Sequence, residues 1–388
     1  MWRHIASNAL TVLIVLLFAM GGAILWGKRQ YDGAGPLSTA YCVEVAGGSN
    51  MRRVSEKLEI DGAISSGAIF RISADYTDKS TQLKAGSYLV PQAASMAQII
   101  DVITRGGASS CGTEVVYRIG VSRMGIQLRE LDPATNQFVE KASFNPATDD
   151  IPEIYEDRKG TSGTRFRVAL AEGVTSWQVV EGLKAMDVLE GSVDALPPEG
   201  ALAPDSYEVR VGEDRTAVLD RMRSAQERRV AQVWETRVDE LPIQTPEELL
   251  ILASIIEKET GVAGERGQVA SVFVNRLNRG MRLQTDPTVI YGVTEGRGVL
   301  GRGLRQSELR GATPWNTYVI EGLPPTPIAN PGLASLEAAA QPSQTPYVFF
   351  VADGTGGHAF AETLAEHNRN VAEWRRIEAE RANQSSGN

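Results

Sequence analysis

The sequence has few of the residues that metal sites and nucleic-acid surfaces require. Of its 388 residues, only three are histidine and two are cysteine. The histidines are His4, His358 and His367, a set too small to predict a metal-ligand cluster. The net charge is −9, and no basic stripe interleaved with aromatic residues is present, which argues against a nucleic-acid partner. No motif predicts a cofactor.

A single long apolar run lies at the N-terminus. Ile5 to Trp26 carries no charged residue, and as a helix it would be about 33 Å long, enough to cross a hydrocarbon core of about 30 Å. This predicts one membrane-spanning helix. A cleaved signal peptide is the alternative, although its apolar region is usually only about 7–15 residues long. The flanking charges are nearly balanced and give little orientation.

The two cysteines fall just outside the two ends of an apparent module. Cys42 precedes the module and Cys111 follows it. A disulfide between them could join the ends of the module in an oxidising compartment. Two buried free thiols are the alternative.

The module pattern occurs twice in the sequence. VEVAGGSNMRRVSEKL from Val43 and LKAGSYLV from Leu83 correspond to VALAEGVTSWQVVEGL from Val168 and LAPDSYEV from Leu202. Each copy predicts a strand, a glycine turn and a helix, then a strand that opens with a Ser-Tyr pair, then another helix. The matching apolar helix positions are Val54 and Val179, Leu58 and Leu183, Ile100 and Leu219, and Ile103 and Met222. Shared strand-helix patterning is the alternative explanation.

An apolar helix is predicted to begin near residue 245. Thr245 can cap it, Pro246 suits its first turn, and Glu248 stands where the second half of a capping box is expected. From Leu249 to Ile256 every residue except Ser254 is apolar, which predicts two helical turns with no solvated face.

This helix ends in the run Glu257, Lys258 and Glu259. A carboxyl group in a poorly solvated position tends to have a raised pKa, which lets it hold a proton at neutral pH and donate it to a leaving group. A Glu-Lys-Glu run at a helix end is more often a solvated face. Angular position on the helix does not decide which Glu matters.

Six motifs follow one another through the C-terminal part of the chain. They are ASIIEKE from Ala253, ASVFVNRL from Ala270, MRLQTDPTVIYG from Met281, WNTY from Trp315, GLPPTPIANPG from Gly322 and GGHAF from Gly356. Together they resemble the endolytic murein transglycosylases, the membrane-bound lytic transglycosylase G family. The resemblance implies that Glu257, the first Glu of the EKE run, is the catalytic acid.

The resemblance also implies a lyase that acts on peptidoglycan. In that family one Glu protonates the glycosidic oxygen between N-acetylmuramic acid and N-acetylglucosamine, and the substrate's N-acetyl group helps to stabilise the positive charge. The same Glu, now ionised, removes the proton of the sugar's 6-hydroxyl, and a 1,6-anhydro ring closes without water. The alternatives are a muramidase, which would use the same Glu to deliver water, and a non-catalytic wall-binding scaffold.

Residues on two loops are predicted to bind sugar hydroxyls. They are Gln284, Thr285, Asp286, Asn316 and Tyr318. The alternatives are that Asp286 caps a helix beginning at Pro287 and that Asn316 only forms a turn. For His358, a position in a hairpin is favoured over a role as a base.

The resemblance implies a location and partners as well. The catalytic part would face the periplasm from a single span in the inner membrane. It would cleave nascent glycan strands beside membrane-bound peptidoglycan synthases. The first module resembles the LysM-like module that precedes the catalytic region in this family, and LysM modules bind glycans that contain N-acetylglucosamine.

The predicted fold class is α+β. The expected organisation is a cytoplasmic tail at 1–4, a transmembrane helix at 5–26, a linker at 27–40, a LysM-like module at 41–107, an insertion or linker at 108–165, a second LysM-like lead-in module at 166–230, a catalytic transglycosylase domain at 231–375 and a polar tail at 376–388. Within the insertion, Asp149 to Gly163 predicts an acidic loop. The tail from Arg381 to Asn388 is expected to be disordered.

Overall fold

The structure is a computed structural model that describes residues 2–106, 110–161 and 163–385. The described residues within Met1–Val116 and Ile126–Phe166 form one compact unit, called unit 1 below. Those within Tyr117–Gly125 and Arg167–Asn388 form unit 2. Both units combine helices with strands, which confirms the α+β class.

The elements of the N-terminal half run in the order α1 (Trp2–Asp32), β1 (Tyr41–Val45), α2 (Met51–Ile60), α3 (Gly67–Tyr76), β2 (Gly86–Val90), α4 (Met96–Arg105), β3 (Thr113–Ile119), β4 (Met124–Asp132), β5 (Gln137–Phe144), α5 (Glu153–Lys159) and β6 (Arg165–Leu170). The chain continues with α6 (Ser176–Lys184), β7 (Leu189–Glu190), β8 (Ser206–Val209), β9 (Glu213–Asp214), α7 (Arg215–Glu235), α8 (Pro246–Glu259), a 3₁₀ turn (Ala263–Glu265), α9 (Arg266–Asn278), α10 (Asp286–Thr294), α11 (Gln306–Leu309), α12 (Leu333–Ala340), β10 (Phe349–Ala352), β11 (His358–Ala361) and α13 (Leu364–Ser385).

Helix α1 has the length and composition of a membrane span. Its segment Leu10–Asp32 has a mean hydropathy of 2.3, and none of it is buried in the protein. A signal sequence would have the same properties. The helix continues past the predicted end at Trp26 because its last turns have partners in unit 1. Gln30 accepts a hydrogen bond from Ser65 at 3.0 Å, and Tyr31 packs against the apolar core.

The first module has its own apolar core in unit 1. Strand β1 pairs with β2 in antiparallel register, Val43 opposite Tyr88, and helices α2, α3 and α4 bury apolar side chains against this pair. Cys42 and Cys111 form a disulfide with Cα atoms 5.7 Å apart. The predicted disulfide is therefore confirmed, and the free-thiol alternative is wrong.

The second copy of the pattern, in unit 2, buries the same helix positions as the first. All eight matching apolar helix positions are buried. The tyrosine of each Ser-Tyr pair donates to the carbonyl oxygen four residues earlier: Tyr88 to Lys84 at 3.1 Å, and Tyr207 to Ala203 at 2.7 Å. This shared anchor supports the repeat, although the second copy has the short strand β7 where the first has α3. The LysM-like nature of either copy stays a prediction.

The segment predicted as an insertion or linker contains regular structure. Strands β5, β4 and β3 are neighbours in that order, and β4 pairs with β5 in antiparallel register. The acidic-loop prediction is wrong for Glu153–Lys159, which is helix α5. One aromatic anchor explains the error: buried Tyr155 packs edge-on against Phe144 at 5.3 Å, and the charged residues of the helix occupy its other faces.

Unit 2 is built around α8. Helices α7, α9, α10 and α12 contact it, so its two apolar turns are buried, with Leu250 only partly so. Strands β10 and β11 form an antiparallel hairpin, and α13 packs against both. The prediction of a disordered tail is wrong for Arg381–Ser385, which continue α13; residues 386–388 lie outside the described part of the chain.

Candidate active site

The start of α8 is close to the prediction. Thr245 caps the helix by accepting a hydrogen bond from the backbone N–H of Glu248 at 3.2 Å, and Pro246 is its first residue. The Glu248 carboxylate accepts from the N–H of Gln244 instead of Thr245, so the expected capping box is shifted by one residue. Ser254, the one polar residue in the apolar run, is buried and hydrogen-bonded to the backbone of α8 and of Ile328.

The first carboxylate of the EKE run lies against the N-terminus of α12. Oε2 of Glu257 accepts hydrogen bonds from the backbone N–H of Gly332 at 3.0 Å and from the Ser335 hydroxyl at 2.7 Å. A negative charge at this position stabilises a helix N-terminus. Glu172 lies nearby, and burial together with repulsion from Glu257 raises the pKa of the Glu172 carboxyl.

Between the two glutamates, Lys258 is fixed to the turn before α6. Its ammonium group donates to the carbonyl oxygen of Gly173 at 3.2 Å. Burial lowers the pKa of Lys258, while the charge of Glu257 opposes that change. Lys258 thus holds the end of α8 in place.

The second carboxylate of the run lies in a different environment. Oε1 of Glu259 accepts a hydrogen bond from the hydroxyl of buried Thr285. Burial raises the pKa of Glu259, and the nearby negative charge of Asp286 adds to the rise; the Thr285 hydrogen bond and the charge of His358 act in the opposite direction. Glu259 therefore has the environment of a carboxyl group that holds a proton.

Three of the predicted sugar-binding residues lie around Glu259. Tyr318 donates to Asp286 Oδ1 at 2.7 Å, and burial and this contact raise the pKa of Tyr318. Helix α10 begins at Asp286, whose carboxylate bonds to Tyr318, so the capping alternative for Asp286 is wrong. The negative charge of Asp286 raises the pKa of Glu259, and the negative charge of Glu259 raises the pKa of Tyr318.

Gln284 is strained and exposed at the entrance to this cluster. Its φ is +51°, a left-handed conformation that non-glycine residues rarely adopt. The conformation is held by its own N–H, which donates to Thr317 O at 3.1 Å, and by the next N–H, of Thr285, which donates to Thr317 Oγ1 at 3.0 Å. Backbone strain of this kind concentrates at functional sites.

Asn316 is used inside the protein. It is buried, and its side-chain amide donates to the carbonyl oxygens of Glu308, Leu309 and Gly311 at 2.7–3.2 Å. Its Oδ1 accepts from the Tyr318 N–H at 3.0 Å. These contacts favour the turn-forming role, which positions Tyr318, over sugar binding by Asn316 itself.

Sequence reasoning missed Arg276. Its buried guanidinium donates to the carbonyl oxygens of Val348 at 2.6 Å and Leu283, and so connects α9, the loop before Gln284 and the hairpin. Burial lowers its pKa, while the charges of Tyr318 and Glu259 oppose this. The sequence contained one signal of this role: Arg276 is a charged residue on a helix, α9, that is otherwise rich in apolar residues.

Glu259 also lines a cavity of about 260 Å³. The cavity is lined by Glu259, Thr260, Gly261, Ala352, Gly354, Gly356, Gly357, His358, Trp374 and Arg381. His358 is in the β10–β11 hairpin as predicted, and it also lines this cavity. No group of three metal-ligating side chains occurs among residues 2–106, 110–161 and 163–385. The arrangement is suited to proton transfer to and from a polar ligand.

The chain is similar in sequence to known proteins. The model of the YceG-like family matches residues 43–373. The endolytic murein transglycosylase of Bacillus subtilis is 30% identical over 355 residues, which cover 90% of this chain and 89% of that protein. The endolytic murein transglycosylase of Streptococcus pneumoniae strain D39 is 26% identical over 381 residues, which cover 95% of this chain and 65% of that protein. A crystal structure of a YceG-like protein from Listeria monocytogenes covers 86% of this chain and 99% of its own, with 25% identity and a TM-score of 0.44. Because the family match extends over most of the sequence, including both glutamates and the hairpin, the chain belongs to the YceG-like family.

Proposed function

We propose that this protein is an endolytic peptidoglycan lytic transglycosylase. It cleaves the bond between N-acetylmuramic acid and N-acetylglucosamine within nascent strands, leaves 1,6-anhydro ends and so terminates strand elongation. Membership of the YceG-like family and two relatives named endolytic murein transglycosylase support this function.

One contrast carries the choice of catalytic acid. Glu259 combines a raised pKa, a hydrogen bond from Thr285 and an open cavity, whereas the Glu257 carboxylate binds the N–H of Gly332 and the hydroxyl of Ser335. A general acid must be protonated and must reach the leaving oxygen. These contacts favour Glu259 as the acid. Glu257, which the resemblance selects, is the competing assignment.

In the proposed reaction, protonated Glu259 donates its proton to the glycosidic oxygen as the C1–O bond breaks. The muramyl 6-hydroxyl then attacks C1 and loses its proton, so the product is lighter by one water than a hydrolytic product. Exposed Gln284 and the Asp286–Tyr318 pair bind hydroxyls of the substrate in this proposal, which their polar side chains near Glu259 support. Thr285 positions the acid instead of the substrate.

The location and partners form a further part of the proposal. Helix α1 anchors the protein in the inner membrane, and both units lie in the periplasm, where the disulfide of Cys42 and Cys111 is stable. The two modules, 41–107 and 166–230, are LysM-like and lead the glycan toward the catalytic domain at 231–375. Membrane-bound peptidoglycan synthases supply the nascent strands.

Product mass tests the reaction type. Uncrosslinked glycan strands are incubated with the full chain in detergent, and the new ends are weighed by mass spectrometry. The proposal predicts anhydro-muramyl ends. Reducing ends would indicate a muramidase, and intact strands would favour a wall-binding scaffold.

A further inference from the structure

The cavity beside Glu259 contains a second group suited to proton transfer. His358 and Glu259 both line it, and they lie close enough that a protonated His358 ring lowers the pKa of the Glu259 carboxyl. The sequence-based interpretation gave His358 only a place in the hairpin. The surroundings of its ring add a chemical role.

Glu265 fixes both the orientation and the tautomer of the His358 ring. Its Oε2 lies 2.9 Å from His358 Nδ1, and its Oε1 accepts the backbone N–H of His358 at 3.0 Å. An ionised carboxylate can only accept hydrogen bonds, so Nδ1 must carry the hydrogen, and Nε2 of the neutral ring keeps its lone pair. Across the described residues, no hydrogen bond to Nε2 is formed.

Aromatic packing holds the ring in one position. Phe350 packs edge-on against it with centroids 5.2 Å apart, and Phe360 lies at 6.3 Å. The charged groups that share its surroundings are Glu259, Glu265 and Arg381. The Arg381 guanidinium donates to the carbonyl oxygen of Gly354, and among the described residues it forms no ion pair with either carboxylate. His358 has one ring nitrogen on a carboxylate and lines the same cavity as the acid Glu259, an arrangement suited to a general base.

We propose that His358, oriented by Glu265, is the base of the ring-closing step. The inference rests on the proposed lyase function with Glu259 as acid. Thr285 holds Oε1 of Glu259, which restricts the movement that one carboxylate would need to protonate the glycosidic oxygen and then reach the 6-hydroxyl. A separate base removes that requirement.

The step balances without a further reactant. The glycosidic electron pair leaves with the oxygen that Glu259 has protonated. The oxygen of the 6-hydroxyl forms its bond to C1, and its proton passes to Nε2 of His358. The resulting imidazolium is stabilised by Glu265 and then releases the proton to solvent, while Glu259 regains a proton from solvent.

The test compares His358→Ala with His367→Ala. His367 is a matched control because it also packs on the hairpin, stacked on Phe349 at 5.0 Å, and does not line the cavity. We expect the rate of anhydro-end formation to fall roughly 100-fold or more in His358→Ala. Added imidazole should restore part of the rate in His358→Ala only.

A rate within twofold of wild type, or a loss that added imidazole does not restore, would overturn the inference and leave a structural role. If His358→Ala fails to fold, Glu265→Gln decides the question, because it removes the charge that orients the ring. Its kcat must fall roughly tenfold or more while its KM stays within about twofold of wild type. Failure of the inference leaves wild-type anhydro ends intact, whereas failure of the proposed function removes them from every sample.

Discussion

At the scale of single residues, the site depends on two glutamates that the sequence presents as near equivalents. Residues i and i+2 of a helix point in nearly opposite directions. Glu257 therefore contacts α12, and Glu259 faces Thr285 and the cavity. The sequence identifies both carboxylates at the end of a buried helix. It cannot choose between them, because the choice depends on loops more than twenty residues away.

Thr285→Val tests the hydrogen bond to Glu259. The bond stabilises the ionised carboxylate and so lowers its pKa. Without it the pKa rises further, and the alkaline limb of the rate profile should move to higher pH. We also expect a roughly tenfold lower maximal rate, equivalent to about 1.4 kcal/mol, because the acid is less well positioned. The control is Thr294→Val, which loses only a bond to Ile290 O; an unmoved alkaline limb in Thr285→Val would contradict the assignment.

Stability against pH tests the burial of Glu259 without reference to activity. Its pKa is raised in the folded state, so above the usual Glu range the unfolded chain binds fewer protons and wild-type stability falls as pH rises. Glu259→Gln removes this pH-dependent destabilisation, because glutamine does not titrate. We expect the variant to have a higher free energy of unfolding than wild type at neutral pH, and the difference should shrink as pH is lowered toward about 4. A difference that does not depend on pH would count against a raised pKa.

At the scale of elements, amphipathic patterns were predictable and contacts across the fold were not. The buried turns of α8, the cap at Thr245 and the matching positions of the two modules follow from local periodicity. Helix α5 was missed because a single buried residue, Tyr155, anchors it. Arg276 was missed because its carbonyl partners come from segments distant in sequence.

Glu257→Gln tests the role of that carboxylate at α12. Loss of the charge from the N-terminus of α12 should lower the free energy of unfolding by about 0.3–1 kcal/mol. Urea denaturation of Glu257→Gln beside Glu240→Gln, an exposed loop control, measures the effect. Equal stability of the two variants would argue that the contacts with Gly332 and Ser335 contribute nothing.

At the scale of the whole molecule, the chain combines one apolar N-terminal helix, a disulfide-closed module and a catalytic unit. The α+β fold class, the single apolar helix and the disulfide could all be predicted, because they follow from the composition of the sequence and the spacing of its residues. The structured segment between the modules was not, because its charged surface resembles a linker.

Reduction of the disulfide tests how the module is stabilised. Cys42 and Cys111 are separated by 69 positions, and a closed loop of that length stabilises the folded state by about 4 kcal/mol in the chain-entropy model. We expect a reductant to lower the denaturation midpoint of the full chain in detergent. The Cys42→Ser, Cys111→Ser double variant should have the lower denaturation midpoint even without reductant, and adding reductant should not change it. A wild-type midpoint that reductant leaves unchanged would contradict this account.

The most direct test of the central claim is the rate of anhydro-end formation by Glu259→Gln and Glu257→Gln on the same glycan strands. Both substitutions remove one carboxylate and preserve side-chain volume, and circular dichroism checks that both variants fold. We predict a loss of about 100-fold to 10,000-fold for Glu259→Gln, since a general acid contributes that much. Glu257→Gln should keep a rate within a few-fold of wild type. The reverse pattern, with Glu257→Gln inactive and Glu259→Gln active, would contradict the assignment and support Glu257 as the acid.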